Sequence, residues 1–362
     1  MMRNVKDRAI NIDSLKVVGV LMIIAFHYVY HGRAGLNATS IIVRFVAEVV
    51  YHFGELGVSC FVLASGYFLE DTIFRPRKLV CLILQVEFYV VISKLILSAL
   101  GQPTQWKILD FFPFLYGEYW FINVFLLIYI LQPFLKRMVI SLEQRQLWLL
   151  IISQAVIWSL IPTLIFSIFI KGSTEAMPYY NRYIWFLLVY LIGYYMRKYS
   201  FPLSKHDVLH LAETKRWIKI LFPFALLILF IITGERGLWP YSATFFWTPN
   251  SLLMLIMSVA LFAAFRDWKP KFDGRWVAFA AQNTLGIYLL HDGELRPYLW
   301  SMFPCDDSVG LVRYIAQLIV VVAFVVFIGV IIDTLRGLIE KKTIVPLIYL
   351  VDNRLIENKV VL

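Results

Sequence analysis

Apolar stretches recur along this chain from one end to the other, and nowhere between them is there room for a soluble domain. Ten can be drawn: Leu15–Tyr30, Gly54–Leu69, Leu79–Leu100, Trp120–Leu135, Trp148–Ile170, Tyr183–Met196, Trp217–Thr233, Ser251–Phe265, Trp276–His291 and Leu311–Leu335. A bilayer core takes a helix of ~20 apolar residues. Several stretches are shorter, so their ends must draw on flanking aromatics or on local thinning of the bilayer. A further run at Ile41–Phe53 either lies at the interface or lengthens the second span. Composition agrees: 60% of the 362 residues are hydrophobic and 16% charged, with a mean hydropathy of +0.73. Soluble domains run nearer ~45–50% and ~25%. This excludes a water-soluble enzyme, a disordered chain and a fibrous repeat. The expected fold is an all-α integral membrane protein, one bundle of about ten transmembrane helices forming a single domain over residues 1–362.

The net charge of +10 would suggest nucleic acid if it were clustered on a soluble surface. Its placement says otherwise. With a cytoplasmic N-terminus, 25 of the 34 Lys and Arg residues fall on inner connections and 8 on outer ones, with Lys94 inside a span. That bias follows the positive-inside rule and predicts that both termini are cytoplasmic. The first span, flanked by basic residues, reads as a retained helix rather than a signal peptide. Cys60, Cys81 and Cys305 are too few and too scattered for a disulfide framework or a metal site.

Charges in hydrocarbon cost about 2.5–3.5 kcal/mol each on insertion scales, so those inside spans need reasons. Lys16 and His27 are eleven residues apart. At ~100° per residue they share one helix face, about 16 Å apart along the axis. Asp13 precedes Lys16 by one turn on the same stripe and can pair with it. The stripe thus runs from a cation at the inner surface to an imidazole near the outer one. The bland alternative is a snorkelling lysine and a histidine bonded to a neighbouring helix. His291 ends a span of the same direction as the first, so it reaches the depth of His27. Together the two could line one polar cavity. Glu87 and Lys94 also share a face and read first as structural partners of other helices. Arg44, Glu48 and His52 read as a solvated outer stripe.

At the inner end of the second span, Ser65-Gly66-Tyr67 precedes Arg75-Pro76-Arg77-Lys78. Glycine there permits close helix approach, and three cations beside Ser65 could hold the phosphates of a soluble cofactor. Ordinary positive-inside charge explains them equally well. His206-Asp207-Val208-Leu209-His210 imitates a zinc-protease helix. Its aspartate is too short for the usual glutamate and no third ligand is near, so no metal site is expected.

Taken together, these segments resemble the acyltransferase family 3 membrane O-acyltransferases. The matching runs are Asp13-Ser14-Leu15-Lys16 with His27; Gly57-Val58-Ser59-Cys60-Phe61-Val62-Leu63-Ala64-Ser65-Gly66-Tyr67; Tyr119-Trp120-Phe121-Ile122-Asn123 with Tyr129 and Pro133; Trp185-Phe186 leading to Gly193-Tyr194-Tyr195; and Asn283-Thr284-Leu285-Gly286-Ile287-Tyr288-Leu289-Leu290-His291. They occur in the family's order, and the Tyr-Trp-Phe-Ile run looks most like the subgroup that decorates bacterial capsules and other exopolysaccharides. The resemblance implies transfer of an acyl group, usually acetyl, from cytoplasmic acyl-CoA to a sugar hydroxyl of a surface or lipid-linked polysaccharide. The setting would be a multi-pass protein of the bacterial cytoplasmic membrane, with lipids around it, no nucleic acid partner and no permanently bound cofactor. It implies a catalytic role for His27, as base or acyl carrier, and for Lys16, which stands where the family's motif carries arginine. Lysine keeps the charge and loses the bidentate fork. Arg75, Arg77, Lys78 and Ser65 map onto the donor side. His291, Tyr119, Trp120 and Asn123 would seat the acceptor, the last three being equally explained by an aromatic belt. A transporter or flippase of a lipid-linked glycan is the rival reading. It would require discontinuous helices and related halves.

Overall fold

The computed structural model describes residues 9–112, 119–163, 181–199, 221, 224–225, 228–229 and 249–357. Among these, all regular structure is helical. The elements are α1 (Ile10–His31), α2 (Ile41–Tyr51), α3 (Phe53–Tyr67), α4 (Pro76–Ala99), α5 (Trp120–Ser141), α6 (Gln144–Ala155), α7 (Arg182–Lys198), α8 (Leu252–Arg266), α9 (Arg275–Gln282), α10 (Thr284–His291), α11 (Arg296–Ser301) and α12 (Leu311–Glu357). A widened turn, Val156–Leu160, carries α6 on to Thr163. Among the described residues six helical runs are long and apolar enough to cross a membrane: Ile10–His31, Ile41–Tyr67, Pro76–Ala99, Trp120–Ser141, Gln144–Thr163 and Leu311–Thr343.

Local chemistry sets several of the ends. Pro76 opens α4, where its missing N–H is no loss. The Asn181 side chain accepts the amides of Tyr183 and Ile184 at the start of α7, and Ser251 caps α8 through Met254. Glu143 and Gln146 cap α6 reciprocally.

Of the two readings of the Ile41–Phe53 run, the structure bears out the one in which it lengthens the second span, since α2 and α3 are interrupted only at His52; that residue is buried, so the stripe of half-buried Arg44 and Glu48 with His52 is not a wholly solvated face. Two boundaries differ from those read in the sequence. The expected Trp276–His291 span is two short helices broken at Asn283, whose side-chain amide bonds back to the Phe279 carbonyl at 2.8 Å. The last helix does not stop at Leu335 but runs to Glu357. At 1.5 Å per residue its length is about 70 Å, more than twice a bilayer core, so its C-terminal part lies beyond the hydrocarbon. The Trp148–Ile170 span is described only to Thr163. The Trp217–Thr233 span, the Lys198–Arg216 connection and the His206/His210 pair lie almost wholly outside the described residues.

Glycines let the central helices touch at backbone distance. A Cβ on Gly66 would run into the Tyr190 carbonyl, and one on Gly193 into the Leu63 carbonyl, so α3 and α7 meet without side chains between them. In lipid, such small-residue seams replace the hydrophobic drive that water supplies elsewhere. Gly19 and Gly57 do the same for α1 and α3. A second fixing device joins α4 to α12. Buried Asp333 accepts bonds from Arg336 Nε (2.7 Å), Tyr89 Oη (2.9 Å) and Gln85 Nε2 (3.2 Å), with Gly286 of α10 pressed against it. A buried carboxylate with three donors is a satisfied charge, not an orphan.

Candidate active site

Helix ends sort into two groups. One gathers the C-terminal ends of α1, α4 and α10 with the N-terminal ends of α3, α5 and α7. The other gathers Lys16, Tyr67, Arg75, Lys136, Arg197 and Arg266. The histidines His27, His31 and His291 lie at the first end, with Lys94, Arg182 and Arg296 beside them, and a denser group of basic residues marks the second.

At the histidine end, α1 presents His27 and, one turn on, His31, while α10 ends at His291 and is followed by Asp292. His27 is buried (7% exposed) and turned inward, its ring 5.1 Å from that of His291 and 5.1 Å from that of His31. Asp292, 3% exposed, faces both α1 histidines: its Oδ1 lies 3.7 Å from His27 Nε2 and 3.8 Å from His31 Nε2. Arg296, the first residue of α11, places Nη1 3.3 Å from the same oxygen. The aspartate therefore stands opposite an arginine and beside two imidazoles, and it would favour a proton on the Nε2 that faces it.

One of the two buried imidazoles is held in a defined tautomer by a hydrogen bond. His291 Nδ1 is 2.6 Å from the Ile287 carbonyl, and a carbonyl only accepts, so the hydrogen is on Nδ1 and the lone pair on Nε2. His27 turns Nε2 toward the carboxylate, and a hydrogen on that nitrogen would leave the lone pair on Nδ1. His27 Nδ1 and His291 Nε2 are both buried and have no hydrogen-bond partner among the described residues. His27, His31 and Asp292 each offer one ligand atom within 4.8 Å of the others, a set that could also coordinate a cation. Arg296 already supplies a positive charge to that carboxylate.

Around this centre stand the other residues of the same end. Tyr119 is fully buried and donates to the Leu289 carbonyl (3.1 Å), steadying the turn that carries His291 and Asp292. Trp120 is stacked under the Arg182 guanidinium (4.4 Å) and packs edge-on to Phe186. Asn123 Oδ1, one turn into α5, and Glu55 Oε2 of α3 are buried acceptors without a partner among the described residues. Lys94 bonds Asp110 (2.8 Å), Glu294 (3.3 Å) and the Gln105 carbonyl (2.7 Å), tying the loop after α4 to the segment after Asp292. Burial raises the Asp110 carboxyl, but bonds from the Lys94 ammonium and the Lys107 amide outweigh this and hold it below the usual carboxylate range.

At the basic end, Lys16 is 3.6 Å from Asp13 and its side chain is 30% exposed. Ser65 spends its hydroxyl on the Phe61 carbonyl (2.9 Å). Arg75 and Lys78 are exposed, and Arg77 turns toward Cys81 and Glu340. The structure adds cations that sequence proximity hides. Arg197 lies over the Tyr67 ring (5.0 Å) and beside Asp71 (3.3 Å); Lys198 pairs with Glu70 (3.5 Å); Lys136 donates to the Glu70 carbonyl (2.6 Å). These residues surround the chain just after Ser65-Gly66-Tyr67.

His31, Asp292 and Arg296 were missed in the sequence. His31 could have been found, since it lies four residues from His27 on the same face. Asp292 and Arg296 fall in a short connection that the span count treats as a loop.

The fold and this centre define a class: a multi-pass helical membrane protein with a buried histidine–carboxylate site at one end. The acyltransferase domain of family 3 matches residues 10–334, which is nearly the whole chain, and the chain belongs to that family. Among curated proteins and solved structures no similar chain was found.

Proposed function

We propose that this acyltransferase moves an acyl group, most simply acetyl, from acyl-CoA on the cytoplasmic side of a bacterial cell membrane to a hydroxyl of a surface or lipid-linked polysaccharide. The observation that carries the reading is the buried pairing of His27 with Asp292, in a chain of an acyltransferase family. An imidazole backed by a carboxylate and facing its other nitrogen into the protein is equipped to take a proton from an alcohol. It is equally equipped to attack a thioester.

On this reading the basic end faces the cytoplasm. Arg75, Arg77 and Lys78 receive the phosphates of CoA near Ser65, with Lys16 placed to orient the donor, and the acyl chain passes between helices to His27. The acceptor enters from the histidine end. His291, Trp120 and Asn123 contact it, and Tyr119 supports them from behind. Sugar faces stack on aromatic rings, which suits Trp120, and Asn123 Oδ1, without a partner among the described residues, offers an acceptor for a hydroxyl. Asp292 and Arg296 are positioning residues that act through His27.

The test is made in cells. Deleting the gene should remove ester-linked acyl groups from the surface polysaccharide, and a wild-type copy should restore them. A His27→Ala copy should restore none. Wild-type acylation from the His27→Ala copy would remove His27 from the chemistry. An unchanged polysaccharide in the deletion strain would refute the acceptor.

A further inference from the structure

Two buried imidazoles, each with a ring nitrogen that has no partner among the described residues, are one more than a direct transfer requires. A single base suffices when donor and acceptor meet in one complex. An unsatisfied buried acceptor costs about 1–3 kcal/mol, so the second calls for a role. No hydrogen bond among the described residues relieves it: His291 Nδ1 is committed to Ile287, and the fully buried ring packs between His27, Tyr288 and Trp300, its centroid 5.1 Å from that of His27.

We propose that transfer proceeds through an acyl-imidazole on His27, and that His291 is a second catalytic residue, the base for the acceptor hydroxyl. This rests on the reading of the chain as an acyl-CoA-dependent O-acyltransferase, and it fixes the order of the steps. The lone pair of His27 Nδ1 attacks the thioester carbonyl carbon. A C–N bond forms, the C–S bond breaks, and CoA leaves as its thiolate. The hydrogen on Nε2 stays toward Asp292, whose charge stabilises the cationic acylated ring. The acceptor oxygen then attacks the acyl carbon while its proton passes to His291 Nε2. The C–O bond forms, and the C–N bond breaks with its electron pair returning to Nδ1. The proton on His291 reaches solvent and balances the thiolate released earlier.

The division of labour follows from the partners. His27 has the carboxylate, 3.7 Å away, that a ring becoming positive needs; His291 has a neutral carbonyl. A nucleophile that carries the acyl group cannot also be the base that removes it, and His291 is the imidazole beside it, with ring centroids 5.1 Å apart. Burial of both rings keeps water from the acylated form.

The experiment uses the purified full chain in detergent with acetyl-CoA, isotopically labelled free CoA and no acceptor. A covalent intermediate predicts label entering acetyl-CoA, and none with His27→Ala. In parallel, transfer to polysaccharide stripped of its esters by mild alkali is measured. His291→Ala should lower transfer about 10²–10⁴-fold while exchange survives; His291→Gln, which cannot take the proton, replaces it if the alanine variant aggregates. Wild-type protein that acetylates polysaccharide yet shows no exchange would overturn the covalent step and leave the acyltransferase reading standing. A His291 variant that transfers at the wild-type rate, or one that elutes as the wild type does but loses exchange along with transfer, would overturn the separate base. Neither exchange nor transfer from acetyl-CoA would overturn the donor assignment, and this proposal with it.

Discussion

Replacing Asp292 with asparagine separates its charge from its shape. The amide fills the same volume, and the site is closed enough that little else should move. Three groups feel the change, because His27, His31 and Arg296 all address the same carboxylate oxygen at 3.3–3.8 Å. A bare Coulomb term for unit charges at ~4 Å is about 4 kcal/mol at an effective dielectric near 20. Arg296, holding the opposite charge on that oxygen, reduces what reaches His27. Hydrogen bonds to charged groups are worth roughly 1.5–3 kcal/mol in mutational series. The His27 separation is longer than a hydrogen bond, as resting sites often are before substrate tightens them. Asp292→Asn should therefore cost about 1.5–3 kcal/mol in the transition state, a rate loss of roughly 10- to 150-fold. The assay is release of CoA thiol from acetyl-CoA in the presence of polysaccharide stripped of its esters, with thermal unfolding in detergent as the control. The melting temperature should stay close to that of the wild type. A rate within about threefold of wild type would refute the argument that the carboxylate supports charge on His27.

Two further outcomes test the frame. Gly66→Ala and Gly193→Ala each push a methyl group into a backbone carbonyl across the α3–α7 seam, and overpacking of that kind costs about 1–3 kcal/mol, readable as a lowered melting temperature in detergent. Asp333→Ala removes the acceptor shared by Arg336, Tyr89 and Gln85 while leaving Arg336 its Glu340 partner, and should destabilise by about 1–3 kcal/mol; Asp333→Asn, which still accepts from Tyr89 and Gln85, should cost less.

Helical periodicity carried the reading of α1 a long way. The shared face of Asp13, Lys16 and His27 follows from 100° per residue, and the 3.6 Å Asp13–Lys16 pair sits on it. Equal depth of His27 and His291 followed from counting spans, and their rings do meet. Other contacts between segments far apart in sequence were not legible. Lys94 reaches Glu294 across 200 positions, and nothing local to either residue marks the other. The same holds for Asp333 with Tyr89 and Gln85. Hydropathy also placed the end of α12 too early: it falls after Leu335, but Leu, Ile, Glu and Lys remain good helix formers outside the membrane. The break at Asn283 is the opposite case, where continuous apolarity hid a side chain that competes with the backbone for hydrogen bonds.

The central claim is that His27 is the group through which an acyl donor and a polysaccharide hydroxyl are joined. Purified protein, acetyl-CoA and polysaccharide freed of its esters suffice to test it, by titrating free thiol against ester formed in the same tube. One thiol should appear for each ester, and both should vanish with His27→Ala in a variant that melts as the wild type does. Equal yields of ester from the His27→Ala protein, or thiol appearing without ester, would contradict it.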